Sequence, residues 1–422
     1  MTVTTGYRGT TAPSDEVVVD WRWASVMVLG IALTLRLAAE GALIWRLAWL
    51  VVGVAATVFA GVLWLRQGRA GGVAALLFGV AGMTMGIGMG LRWLAAHVVT
   101  VSSVFAAAVF LLGVVVTAMG LARSTSQMRQ PIRTVIGAAA LLAVVVLVWT
   151  LAPAVIATNV PPTSHEATPA DFGLVAEEVG FTTLDGVQLW AWYIPPTNGK
   201  VVILRHGAGS TASDVLAHAA VFARNLYGVL ITDARGHGKS GGEAMDFGWY
   251  GDVDLEAAVS FLTGQPEVDP DRIAVVGLSM GGEEAIGAAG SDSRIAAVVA
   301  EGATARTDSD KQWLVDEYGW RGWIQVRLEW LQYAFTDLLT DAEKPVALVD
   351  AARSAVPRPI MLITAGDVAE EASAAQFIEF GPGDNVFVWT VPRSGHIQGL
   401  ATAAEEWDDR VVGFLDSALS DG

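Results

Sequence analysis

A serine set between glycines and a histidine late in the chain are the residues whose types and surroundings best suit covalent chemistry. Ser279 lies in Gly277-Leu278-Ser279-Met280-Gly281-Gly282, directly after the β-branched run Ile273-Ala274-Val275-Val276. The Gly-x-Ser-x-Gly spacing permits a sharp strand-to-helix turn that lifts the hydroxyl out of a sheet. Glycines stand where a Cβ would strike neighbouring backbone. In a chain with 46 glycines the pentapeptide alone is a weak signal. A serine hydroxyl is a poor nucleophile at neutral pH and needs a base within hydrogen-bond reach. His396, in Ser394-Gly395-His396, is placed to project from a loop. His206 and His237 sit inside glycine-rich loops, where each is expected to organise its own turn. His97, His165 and His218 lack any partner pattern, and no pair has metal-ligand spacing.

Positioning such groups takes a scaffold, and the second half of the chain reads as one. The stretches 175–183 and 187–194 form a hairpin around Asp185-Gly186. Strands are expected at 200–205, 228–232, 272–278, 295–300, 360–364 and 386–391. Helices fall at 212–225, 250–263, 280–290, 372–380 and 403–419. This alternation implies a doubly wound, mostly parallel sheet with helices on both faces and ligands beyond the carboxyl ends of its strands. Two glycine-rich loops follow such ends. His206-Gly207-Ala208-Gly209-Ser210 either aims backbone amides at a developing oxyanion or makes an ordinary tight turn. Asp233-Ala234-Arg235-Gly236-His237-Gly238-Lys239-Ser240 lacks the Walker spacing of a phosphate loop.

The first 157 residues differ in kind. They hold ten basic residues and four acids, a net of about +6, while residues 158–422 carry about −23. An acidic second half excludes a nucleic-acid footprint. With no cysteine there is no disulfide framework and no thiolate chemistry. Residues 47–65, 70–91, about 99–122 and 135–157 are apolar runs that each reach the ~20 residues needed to cross a bilayer. A fifth run, 24–44, is interrupted by Arg36 and Glu40, which either pair within a span or mark an interfacial helix. Five spans put Arg8, Arg22, Arg66, Arg69, Arg123, Arg129 and Arg133 on one side, against Arg46 and Arg92 on the other. The N-terminus is therefore expected in the cytoplasm and the chain after 157 outside it. No cleaved signal peptide is expected, and 158–171 reads as a proline-bearing tether.

Residues from about 172 onward resemble the α/β-hydrolase superfamily, serine esterase or acyl-hydrolase type. The resemblance is carried, in order, by His-Gly-Ala-Gly, Asp-x-Arg-Gly-His-Gly-x-Ser, Gly-x-Ser-x-Gly-Gly and the late histidine. It implies an α/β-hydrolase fold following an α-helical transmembrane bundle. In roles, it implies Ser279 as nucleophile, His396 as base, and an oxyanion hole from the backbone N–H groups of Met280 and Ala208. The acid belongs in the turn after strand 360–364, where Asp367, Glu370 and Glu371 compete. The family's commonest aspartate position holds Ala369 here; members with a glutamate just before the following helix favour Glu371, with Asp367 and Glu370 as alternatives. An insertion at about 303–351 is expected as a helical cap. Its aromatic residues either line an apolar acyl site, pack the cap's own core, or rest on lipid headgroups.

The expected function is thus a membrane-anchored serine hydrolase acting on ester or related acyl bonds. The expected partners are a small or lipid-like acyl substrate and a bilayer, with no nucleic acid; no cofactor or metal is expected. The competing expectation is a membrane sensor or transporter-associated protein whose hydrolase-like domain is inactive.

Overall fold

The computed structural model describes residues 20–37, 43–66, 68–95, 97–381 and 383–420. The N-terminal region is helical: α1 (Trp21–Leu37), α2 (Leu43–Leu65), α3 (Arg69–Gly86), α4 (Arg92–Ala95), α5 (Val101–Thr125) and α6 (Gln130–Ala157). A π-helical turn, Ile87–Leu91, joins α3 to α4. Four helices are long and apolar enough to cross a membrane: Arg46–Leu65, Arg69–Gly90, Val101–Thr125 and Gln130–Ala157. The fifth expected span is a shorter apolar helix, Trp21–Leu35, within the described residues. The pairing of Arg36 with Glu40 falls outside them, as does Arg8.

The chain divides into two compact units, residues 1–83 with 111–142, and residues 84–110 with 143–422. In the first, α3 and α5 approach closely through glycines. A Cβ at Gly113 would lie 2.9 Å from the Gly79 carbonyl, and one at Gly120 would lie 2.7 Å from that of Gly72. Backbones this close gain dispersion contact between the two helices. Outward lie large apolar side chains such as Val51, Phe59 and Leu142, each about two-thirds exposed, a surface that water would penalise.

The second unit contains the sheet. Its strands are β1 (Glu177–Thr182), β2 (Gln188–Ile194), β3 (Val201–Arg205), β4 (Gly228–Thr232), β5 (Ile273–Leu278), β6 (Ile295–Glu301), β7 (Ile360–Ala365) and β8 (Val386–Val391). They lie in the order β1-β2-β4-β3-β5-β6-β7-β8. The β1–β2 and β2–β4 pairs are antiparallel, and all later pairs are parallel. β3 and β4 are buried throughout, as continuous apolar runs covered on both faces should be. One face packs on α8 (Gly251–Thr263) and α9 (Met280–Ser291), through residues such as Leu255, Leu262 and Ile286. The other packs on α7 (Leu216–Arg224) and the last long helix, through Phe222, Trp407 and Leu415.

The insertion after β6 forms α10 (Trp313–Tyr318), α11 (Trp320–Leu339) and α12 (Leu348–Ser354). Then come α13 (Ala369–Glu379), α14 (Gly399–Thr402) and α15 (Ala404–Ala418). α13 begins three residues before the expected 372, so Glu371 sits inside its first turn rather than ahead of it.

The stretch expected as a free tether is stitched to the second unit. The Thr163 hydroxyl accepts the Gly238 N–H at 3.0 Å, and the Glu166 N–H donates to Ser213 Oγ at 3.3 Å. His165, which shows no partner in the sequence, bonds buried Asp233 through Nε2 at 2.8 Å. Its ring packs against both Trp190 and Trp192, with centroids 4.7 and 4.6 Å away, and the two indoles also meet edge to face at 4.8 Å. The Ala157 carbonyl at the end of α6 accepts the Asp246 N–H at 2.9 Å.

Candidate active site

β5 ends at Leu278 and α9 begins at Met280, leaving Ser279 alone to turn the chain. Its backbone has φ 53° and ψ −120°, a conformation that costs an L-residue of order 1–3 kcal/mol. The flanking glycines make room for it: a Cβ at Gly277 would collide with the Gly281 carbonyl, and one at Gly281 would come 2.6 Å from the His206 carbonyl. The Ser279 N–H is held by the Glu301 carbonyl at 2.7 Å.

The loop after β8 brings His396 to this turn. His396 Nε2 lies 2.9 Å from Ser279 Oγ, and Nδ1 lies 2.6 Å from Glu371 Oε1. Glu371 is buried, and its second oxygen accepts the Ala365 N–H at 2.7 Å. The structure therefore brings Ser279, His396 and Glu371 into one chain of contacts. Asp367 and Glu370 are exposed, and Asp367 uses its backbone N–H to hold the Ser394 carbonyl at 3.1 Å. The Glu371 hydrogen bond raises the His396 pKa above the ordinary imidazole value. Partial burial opposes this, while the charges of Glu371, Glu283 and Glu301 add to it.

The first glycine loop runs beside the serine. A Cβ at Gly207 would lie 3.3 Å from Ser279 Cβ, and Ala208, the next residue, is exposed. Met280 opens α9, so its N–H belongs to a helix N-terminus, where partial positive charge favours an anion. The loop is braced from behind. Asp246 Oδ1 accepts the Gly209 N–H at 2.9 Å and lies 3.2 Å from His237 Nε2. His206 Nε2 accepts the Ala234 N–H at 2.9 Å, so its Nδ1 carries the proton and faces the Gly207 carbonyl at 2.8 Å. Both histidines organise loops, as their surroundings in the sequence suggest. Asp233, buried, accepts the N–H groups of Ala212 and Lys239 as well as His165. Beneath the turn, buried Arg205 bridges Glu284 and Asp254, and Arg235 shares Asp254.

Two buried carboxylates escape a reading of the sequence alone. Glu301 closes β6; Oε1 accepts the Gly399 N–H at 2.7 Å and Oε2 accepts Trp407 Nε1 at 3.0 Å. The signal for it is a charge capping the apolar run Val298-Val299-Ala300 just before Gly302. Gly302, at φ 72°, lies under the imidazole, where a Cβ would be 2.8 Å from the His396 ring. Glu283, one turn into α9, accepts the N–H groups of Thr304 and Ala305 at 3.0 Å each. Burial lifts its carboxyl to about 7. Among the described residues no group of three or more His, Cys, Asp or Glu side chains is arranged to hold a metal ion.

The strand order, the strained serine turn and the late histidine loop together define an α/β-hydrolase fold for the second unit. Residues 196–357 match the family described as "Serine aminopeptidase, S33". That stretch includes Ser279 but ends before Glu371 and His396. Thiohydrolase aneE of Aspergillus aculeatus is 36% identical over 131 residues, 29% of this chain and 40% of that protein. Polyketide transferase ATR5 of Stachybotrys chlorohalonatus is 35% identical over 136 residues, 30% of this chain and 44% of that protein. The chain thus spans less than half the length of these curated relatives. An esterase from Pyrococcus furiosus aligns with TM-score 0.49 at 26% identity, over 62% of this chain and 98% of that one.

Proposed function

We propose that this chain is a membrane-anchored serine hydrolase that cleaves ester or related acyl bonds through an acyl-enzyme. The observation that carries the reading is the unbroken run from Ser279 Oγ through the His396 ring to Glu371, on a serine whose backbone is held in a strained turn. In this reading Ser279 Oγ attacks the acyl carbon while His396 Nε2 takes its proton. Glu371 keeps Nδ1 protonated and stabilises the imidazolium that forms. The N–H groups of Ala208 and Met280 receive the oxyanion, each worth about 3 kcal/mol in the transition state. His396 then returns the proton to the leaving group. Water enters by the reverse sequence and frees the serine.

The anchor is α2, α3, α5 and α6, whose length and outward apolar surface suit a bilayer. The arginine asymmetry favours a hydrolase domain outside the cytoplasm. Full-length protein in detergent, treated with a fluorophosphonate probe, should be labelled covalently, and Ser279→Ala or His396→Ala should abolish the label. A folded wild type that takes no label would instead favour a sensor with an inactive domain.

A further inference from the structure

The cap helix α11 is two-faced. Gly322, Val326, Tyr333 and Thr336 are buried along one side. The other side presents Trp320, Trp323 and Trp330 at 70, 54 and 52% exposure, together with Ile324 and Leu338. Two arginines accompany the rings: Arg321 lies 5.6 Å from the Trp320 centroid and Arg327 lies 5.4 Å from that of Trp323. Of the cap aromatics, Trp313 and Tyr333 pack inward and these three tryptophans do not. Three half-exposed indoles on one helix are an unfavourable surface in water and a suitable one for the headgroup layer. There the ring is buried and the indole N–H and guanidinium stay wet.

The inner side of α11 rests on the loop that holds the end of α6. Tyr333 packs on Phe247 and Trp249, with centroids 5.4 and 6.3 Å apart. Asp246, between them and Met245, donates its N–H to the Ala157 carbonyl. Nearby, Trp93 Nε1 donates to the Asn159 carbonyl at 3.0 Å, as an indole at a span end would. One loop therefore ties the end of the last apolar helix to the back of the tryptophan-bearing one. We propose that the outer face of α11 seats in the headgroup layer of the bilayer that holds α2, α3, α5 and α6, so that the cap meets acyl substrate at the lipid surface.

The inference rests on the membrane reading above, and it is specific about the force involved. The domain carries about −23 charges, so attraction to anionic lipid is not what seats the helix. Aromatic burial does, and the seating should be nearly independent of salt.

The absence of cysteine gives a clean background for site labelling. In full-length protein reconstituted in phosphatidylcholine vesicles, Trp320→Cys, Trp323→Cys and Trp330→Cys would each carry an environment-sensitive fluorophore. Phe59→Cys on α2 serves as the embedded reference and Leu184→Cys in the β1–β2 turn as the aqueous one. Lipid-borne quencher is expected to act on the three cap labels at least threefold more strongly than on the label at 184, equally at low and high salt. Cap labels that behave like the one at 184, or that are shielded from aqueous and lipid quenchers alike as under a second protein copy, would overturn the proposal. A label at 59 out of reach of lipid quencher would show that the membrane reading itself had failed.

Discussion

Ser279 and Glu301 are joined backbone to backbone, the serine N–H donating to the glutamate carbonyl at 2.7 Å. The side chain of the same glutamate holds the loop that carries His396, through the Gly399 N–H. One residue at the end of β6 therefore holds both the Ser279 turn and the His396 loop. Burial, with Glu371 nearby, raises its carboxyl pKa. Glu301→Ala leaves the Gly399 N–H and the Trp407 indole without their acceptor, at a cost of about 1–3 kcal/mol each. A lower melting temperature and a turnover loss of at least tenfold are expected by thermal scan and steady-state kinetics. A variant with wild-type turnover would show that Glu301 does not position the site.

The carboxylate on His396 is identified by a pH profile. Glu371 raises the imidazole pKa, and in the proposed mechanism the neutral imidazole is the base. Activity should therefore fall as pH drops through the raised value. In Glu371→Gln the pKa falls, so the acid limb should move to lower pH while kcat drops by about 10² to 10⁴. Asp367→Asn and Glu370→Gln should stay within about twofold of wild type. An acid limb that stays in place in Glu371→Gln would assign the role elsewhere.

Glu283 makes stability depend on pH in the unusual direction for a carboxylate. Its folded-state pKa is raised to about 7, above the unfolded value, so its protonated form favours the fold. Its contribution is full at acid pH and is lost as pH rises through about 7, a span worth ~3 kcal/mol at most. Gln keeps an oxygen for the Thr304 and Ala305 N–H groups. Glu283→Gln should thus raise the denaturation midpoint at pH 8 and change it little at pH 5. Equal effects at both would refute the titration.

Asp246 braces the Ala208 loop through Gly209 while its backbone holds the end of α6. Asp246→Ala should lower kcat about tenfold with a smaller change in KM, through a displaced oxyanion donor. Asp246→Asn keeps an acceptor oxygen and should restore most of the rate. If both variants matched wild type, the brace would have no bearing on catalysis.

The proposed orientation in a membrane rests on the arginine asymmetry. A reporter active only in the cytoplasm, fused after residue 160, should be silent; a strong signal would invert the topology.

The strand-turn-helix around Ser279 was legible because its cause is local. Strand periodicity, glycines and one serine occupy a dozen consecutive residues, and the sterics that force the turn lie among them. The four long apolar runs were legible for the same reason, since length and hydropathy are properties of a segment. The choice among Asp367, Glu370 and Glu371 leaned to Glu371 only through the family resemblance, not through spacing. It depends on which side of the first turn of α13 faces β7, and that turn begins earlier than the residue pattern indicated. His165 finds Asp233 across 68 residues, and Gly399 finds Glu301 across 98. No spacing rule announces such pairs, because they form only when the sheet is assembled and buried polar groups must be satisfied. The docking of 158–171 is of the same kind: prolines and polar residues suggest a free tether, and only the folded surface supplies Trp190, Trp192 and Gly238 to hold it. The residue types available for chemistry and the segments that carry them were thus set by short-range pattern. Which groups touch, and which tryptophans of α11 were left outside the core, was decided by packing, whose partners lie far apart along the chain.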